Sequence, residues 1–379
     1  MMRSVVELTL VMGGSGSAGA YAAGALDFIL EALACLEDVR RAEPDALPGP
    51  RVRLASEGTT PAGAINHALL TAALDGRRPP QFRDTWMNGL EPRHAFGFGA
   101  PRSTPRASRA LLDDAALGAL AEQLAFTAPP PVPADGYVTL SIDPAGDGLG
   151  AAAACAPGGP AGLFLAAGRP APEAIAEAPG EPFAIRPRRA HRPGVETWPA
   201  LASTVLSGFG GYLDPAFRAH DFALGRRNAQ RMLARHLTLP STDPLVADWK
   251  PHHDRAFGVW PVGIAPIGTA PRRPLIPLTR SAAMPLALPD WPAIPARSLR
   301  KLDPVIAARV GDIARDVSTA FLGESLWQPL ADLAIAQRRG AVARKTRKAL
   351  EDMLRATGQI APEPSRPLAR WFSRRPKTA

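Results

Sequence analysis

The pattern of hydrophobic and polar positions predicts a chain that begins with a strand, a tight turn and a helix. Residues 5–12 form a short apolar run typical of a buried strand. A glycine-rich stretch follows at 13–19, and apolar residues then recur at three- and four-residue spacing as far as Leu36. A strand, a turn and a helix in this order form the first unit of a parallel sheet, so the pattern predicts an α/β fold class.

The same reasoning predicts the elements that follow. Strands are expected at 52–55, 137–142, 162–167, 183–189, 258–262 and 275–278. Helices are expected at 62–74, 111–126, 198–206, 215–237, 298–322 and 327–356. Residues 75–110 carry turn signals and scattered aromatics, which favour a surface loop or a cap over an active site.

Length and composition predict one large domain with appended helices. We divide the 379 residues into an α/β domain at 1–295, C-terminal helices packed on it at 296–356, and a basic flexible tail at 357–379. We find no run of about 18 apolar residues and no convincing signal peptide. The two cysteines give neither a disulfide framework nor a metal set, so a cytoplasmic location and no metal are expected.

The positive charge is concentrated at the C-terminus. Residues 338–379 hold twelve Lys/Arg and three Asp/Glu, which accounts for the whole net charge of +9. The preceding residues are therefore neutral in sum, and no nucleic-acid partner is expected. The basic tail is interpreted either as a solvated terminus or as a peripheral contact with an anionic inner membrane face, which Trp371 and Phe372 would support.

The glycine-rich turn is suited to hold negative charge, because glycines bring bare N–H groups close to a ligand and the new helix aims its positive end the same way. Residues 14–19 fit G-x-G-x-x-G, which leaves nucleotide binding as one alternative. That alternative needs an acidic residue at the end of the second strand, where Glu57 is the only nearby candidate. A second alternative is a turn that merely starts a helix.

Several stretches resemble patatin-like lipid acyl hydrolases. LVMGGSGSAGAYAAGALDFILEAL resembles their oxyanion loop, and RLASEGTTPAGAINHALL resembles their nucleophile elbow. LSGFGGYLDPAFRAHDFALGRRNAQRMLARHLTLP and RPLIPL…LPDWP resemble the C-terminal part of a bacterial subfamily. The resemblance implies a patatin-like three-layer α/β fold with a mainly parallel central sheet, flanking helices and a helical C-terminal extension. It also implies a Ser–Asp dyad that hydrolyses acyl ester lipids without a cofactor.

Carried over residue by residue, the resemblance places the oxyanion hole at Gly13, Gly14, Ser15, Gly16 and Ser17. Preorganised donors in such a loop typically contribute about 3–4 kcal/mol each to transition-state stabilisation.

The elbow departs from the family pattern G-x-S-x-G. Gly58 and Gly63 keep the glycines of this pattern, but the position of the serine is held by Pro61 in one alignment and by Thr60 in the other. Thr60 is the candidate nucleophile, although Pro61 restricts it to extended geometry. Asp147, in IDPAGDGLG after a predicted strand, is the candidate for the missing D-G-G aspartate.

These departures predict a weakened or inactive hydrolase. Loss of the nucleophile in a coupled catalytic set costs on the order of 10⁶ in kcat. The alternative is a non-catalytic relative that binds lipid or a partner protein. Outside this site, His220-Asp221 is open to two interpretations, a His–carboxylate pair, or helix capping or core hydrogen bonding by Asp221.

Overall fold

The computed structural model describes residues 4–13, 16–45, 47–58, 60–76, 81–96, 98, 115–124, 134, 136–142, 144, 184–189, 199–205, 208–246, 248–250, 253, 271–322 and 328–362. The strands are β1 (Val5–Met12), β2 (Arg51–Gly58), β3 (Gly136–Ile142), β4 (Ala184–Ile185), β5 (Thr238–Pro240) and β6 (Arg272–Pro274). The helices are α1 (Gly19–Ala42), α2 (Pro61–Leu74), α3 (Phe82–Asn88), α4 (Ala115–Leu124), α5 (Pro215–Arg235), α6 (Asp303–Leu322) and α7 (Gln328–Ala356).

The first four strands form an all-parallel sheet in the order β2-β1-β3-β4. Alternate residues of the central strand β1 are fully buried, as expected for the middle of a sheet: Val6, Leu8, Leu10 and Met12. The chain moves from β1 to β2 on one side and then returns to β3 on the other. The predicted α/β class, with a mainly parallel central sheet and flanking helices, is confirmed.

Helix α1 crosses α5 at a point where two backbones touch. A Cβ atom added at Gly24 would collide with the carbonyl oxygen of Phe222, and one added at Gly225 would collide with that of Tyr21. The two glycines therefore allow the close approach. Residues 16–42, which include α1, are long and apolar enough to cross a membrane, and 67% of their apolar 18-residue window is buried inside the protein. A core helix and a signal sequence near the N-terminus both have this length and composition.

Helix α3 lies where the sequence favoured a loop or a cap. Its Phe82 and Trp86 are buried in the core rather than spread over a surface. Arg218 of α5, which is distant in sequence, holds this helix through direct hydrogen bonds. Its guanidinium donates to four backbone carbonyl oxygens, those of Trp86, Met87, Leu90 and Gly211. Burial lowers the pKa of Arg218 to about 10, so the side chain remains charged at neutral pH.

The C-terminal elements follow the prediction with two corrections. The strand expected at 275–278 lies earlier, at β6, because this segment pairs antiparallel with β5. The expected helix at 298–322 begins as a 3-10 helix at Ala296–Leu302 before α6. Helices α6 and α7 pack together as a hairpin. The strands predicted at 162–167 and 258–262 lie outside the described residues.

Candidate functional site

The glycine turn lies at the carboxyl edge of the sheet, where the strand order reverses between β1 and β3. Such an edge is the usual ligand position in open α/β sheets. A hydrogen bond joins β1 and β3 at this edge, where the N–H of Gly13 donates to the carbonyl oxygen of Ile142 over 3.1 Å. That N–H is thus already used within the protein.

The described part of the turn is held from the other side by Gly208. Gly16 has a φ of +51° and is pressed against Gly208, so a side chain there would be strained. Ser17 donates its N–H over 2.9 Å and its hydroxyl over 2.6 Å to the carbonyl oxygen of Gly208. Like that of Gly13, the N–H of Ser17 is therefore bound to a protein acceptor. Gly14 and Ser15 lie outside the described residues, so their predicted oxyanion role stays a prediction.

Thr60 is the residue that caps helix α2. Its backbone is extended, with φ −136° and ψ 164°, and its hydroxyl accepts the N–H of Gly63 over 3.0 Å. Pro61 occupies the first turn of the helix, where its fixed φ is favourable. A nucleophile elbow instead holds its serine on a sharp, strained turn. Here, in contrast, the threonine hydroxyl is oriented by the hydrogen bond through which it caps α2.

The elbow and the glycine turn adjoin each other. A Cβ added at Gly63 would collide with the carbonyl oxygen of Met12, and would lie 3.2 Å from Thr60 Oγ1. Gly58, at the end of β2, is packed equally tightly, since its added Cβ would lie 2.6 Å from the Gly63 carbonyl. The structure therefore brings Thr60, Gly58 and Gly63 to the edge where β1 ends. Asp147 lies outside the described residues, and within them no carboxylate bonds to the Thr60 hydroxyl.

Asn66 ties the start of α1 to two other helices. Its buried amide donates to the carbonyl oxygen of Gly19 over 3.0 Å and accepts from the Trp86 indole over 2.8 Å. The first residue of α1, which follows the glycine turn, is thus fixed against α2 and α3. This contact was not found from sequence, because it joins residues 47 and 20 positions apart.

A serine–histidine pair lies below the elbow and was also missed. Ser56 of β2 and His67 of α2 are hydrogen-bonded, with 2.9 Å between Oγ and Nδ1. Ser56 is in register with Leu10, two residues before the end of β1, which places it about 7 Å from the carboxyl edge. In the described part of the chain no carboxylate contacts His67. The pair has a nucleophile and a base but lacks an orienting acid.

The His220–Asp221 pair exists, but its groups are all engaged. The His220 Nδ1 lies 2.8 Å from Asp221, whose carboxylate also accepts the N–H groups of Ala202 and Ser203. On the other side, Arg189 lies 2.5 Å from His220 Nε2. Because arginine can only donate, Nε2 accepts and is not free to take a proton. The two residues therefore form a His–carboxylate pair, and Asp221 also makes core hydrogen bonds to the backbone. Together these contacts form a structural network.

The nucleotide alternative stays a prediction, because Gly14 and Ser15 of the turn lie outside the described residues. Glu57 lies next to the end of β2 and is exposed, and its carboxylate has no hydrogen-bond partner among the residues that the structure describes. No group of three or more metal-ligating side chains occurs within those residues.

Comparison with known proteins does not assign this chain to a family or to a fold. No family model matches the chain, and no solved structure matches it. An uncharacterized protein, y4iI of Sinorhizobium fredii (strain NBRC 101917 / NGR234), is 34% identical over 116 residues. The match covers 31% of this chain and only 16% of that protein.

Proposed function

We propose that this chain is a patatin-like protein that binds an acyl chain or acyl ester at the carboxyl edge of its sheet without hydrolysing it. The observation that carries the proposal is the state of Thr60: extended backbone, hydroxyl used as a helix cap, and a proline directly after it. A cytoplasmic location, with the protein reaching lipid at a membrane surface, belongs to the same proposal.

Two further features support binding rather than turnover. The N–H groups of Gly13 and Ser17, which an oxyanion hole would use, are bound to protein carbonyls. The edge itself remains suited to a carboxylate or ester oxygen, because the N-termini of α1 and α2 both begin there. Binding of a ligand oxygen at this edge, unlike hydrolysis, requires no nucleophile.

A second candidate is a weak esterase that uses Ser56 and His67, since these residues form the only hydroxyl–imidazole pair that we find in the described part of the chain. A histidine base activates a serine by accepting its proton. Ser56 lies within the edge strand β2, two residues before its end, rather than in the glycine-rich turn or at Thr60, and this position disfavours the candidate.

Binding is tested with a fluorescent fatty acid, dansylaminoundecanoic acid, titrated into the purified protein. We compare Thr60→Asp with Thr60→Asn, because both residues cap helices well and differ in charge. Like charges about 6 Å apart at an effective dielectric of about 20 repel by about 3 kcal/mol. T60D should therefore weaken binding at least about tenfold, while T60N should bind like the wild type.

Hydrolysis is followed in parallel with p-nitrophenyl butyrate. The proposal predicts saturable binding of the fatty acid and no turnover above buffer. Equal binding by T60D and T60N would contradict the placement of the ligand. Turnover that is lost in Ser56→Ala would instead establish the second candidate.

A further inference from the structure

The N-terminal half of α7 is exposed on almost every side. Leu330 and Leu333 are each 57% exposed, although leucine is among the residues most often buried. Farther along the helix, Ala343, Leu350 and Leu354 are buried against the rest of the protein. The hairpin of α6 and α7 is therefore anchored at one end and presents apolar side chains at the other.

The outward face of α7 has an apolar end and a basic end. At 100° per residue, Leu330, Ala334 and Ala341 lie on the side opposite the buried residues of the helix, and Leu333 lies on the flank next to them. Arg344, Lys345 and Lys348 continue the same face and are exposed. Residues 328–350 contain six Lys/Arg and one Asp.

Most cations on this part of α7 have no ion pair among the residues that the structure describes. Arg347 is paired with Asp303 over 2.8 Å and with Glu351 over 3.8 Å. Five others have no ion pair in the described part of the chain: Arg338, Arg339, Arg344, Lys345 and Lys348. A helix that combines exposed leucines with unpaired cations is complementary to a surface that is apolar inside and anionic outside.

The leucines and the cations follow each other closely along the helix. Leu333 precedes Arg338 by five residues, which is about 7.5 Å of helix rise. An interfacial helix lies in the plane of the membrane surface, where its apolar side chains enter the boundary by about 5–10 Å and its cations meet the headgroups. A second copy of this chain is a poorer partner, because it would bring five unpaired cations against five.

We propose that the hairpin docks the protein on an anionic membrane through this face of α7. Leu330 and Leu333 enter the acyl boundary, and Arg338, Arg344 and Lys348 contact lipid phosphates. The contact is separate from the carboxyl edge of the sheet and does not depend on recognition of an ester.

The test is co-sedimentation of the full chain with vesicles of diether phosphatidylcholine, with and without diether phosphatidylglycerol. Diether lipids have no acyl esters, so failure of the ester-binding proposal leaves this result unaffected. Binding is expected only with the anionic lipid. Leu330→Ser/Leu333→Ser should lower partitioning at least about tenfold, because it removes the apolar surface that enters the boundary.

Two matched controls use exposed residues elsewhere. Met284 is 67% exposed, and Met284→Ser should bind like the wild type.

A charge-reversal variant tests the cations. Arg344→Glu/Lys348→Glu should abolish the preference for anionic lipid, whereas its control Arg300→Glu/Lys301→Glu, which reverses two other exposed charges, should reduce that preference less. Unchanged vesicle binding by the leucine variant would overturn the proposal. A dimer in light scattering that the leucine variant loses would assign the face to a second copy and overturn it as well.

Discussion

The crossing of α1 and α5 gives a sharp prediction about stability. In Gly225→Ala, the new methyl group would collide with the Tyr21 carbonyl oxygen. The two helices must then move apart along an interface that includes the buried rings of Tyr21 and Phe222. Separating packed surfaces by 0.5–1 Å forfeits about a quarter to a half of their dispersion attraction.

The expected size follows from two opposing effects. Overpacking costs typically about 1–3 kcal/mol, and more where backbone must move. Replacing a helical glycine by alanine stabilises the folded protein by about 0.5–1 kcal/mol, because it lowers the backbone entropy of the unfolded chain. Because the obstacle is backbone and cannot rotate away, we expect G225A to lose about 2 kcal/mol of unfolding free energy.

The assay is urea unfolding followed by far-UV circular dichroism. Gly340→Ala is the matched control, since that helical glycine meets only the flexible end of Arg344 at 3.7 Å, and it should gain about 0.5–1 kcal/mol. In the double variant G24A/G225A one displacement accommodates both methyl groups, so its loss should be smaller than the sum of the single losses. A G225A protein as stable as G340A would refute the close approach.

Two further predictions concern buried charge and pH. Arg218→Met should cost about 3–5 kcal/mol in urea unfolding, because it leaves four backbone carbonyls without their donor; an effect near that of an exposed substitution such as Arg300→Met would contradict the role assigned to the side chain. The side chain of His236 is exposed, but its partial desolvation, together with the charges of Arg235 and Arg188, lowers its pKa from 6.5, so the effect on stability should be small. The unfolded chain therefore takes up the proton first, and stability is lost as the pH falls below 6.5. His236→Gln should reduce the loss of stability between about pH 8 and about pH 5.5; an unchanged loss would count against this assignment.

Local patterns were sufficient to predict the core of the fold. The strand β1, the helices α1 and α2, and the long helix α5 each carry their own hydrophobic periodicity or glycine punctuation, so their positions follow from short-range sequence. The parallel order of the sheet follows from the same β–α alternation.

The missed features depend on contacts between distant residues. Helix α3 is only seven residues long and is held by Arg218, more than 120 positions away. The Ser56–His67 pair joins a strand to the following helix, and neither segment alone has a pattern that predicts it. The sequence was sufficient to select Thr60 and to predict that Pro61 restricts its backbone. That its hydroxyl caps α2 could be seen only in the folded structure.

The central claim is that the elbow holds no working nucleophile. The most direct measurement is intact-protein mass spectrometry after incubation with a fluorophosphonate, which forms a covalent adduct with activated hydroxyl nucleophiles. The account predicts an unmodified mass for the wild type and for Thr60→Ser alike, because the extended cap geometry is kept in both. A stoichiometric adduct that peptide mapping places at position 60, in the wild type or in the T60S variant, would contradict it.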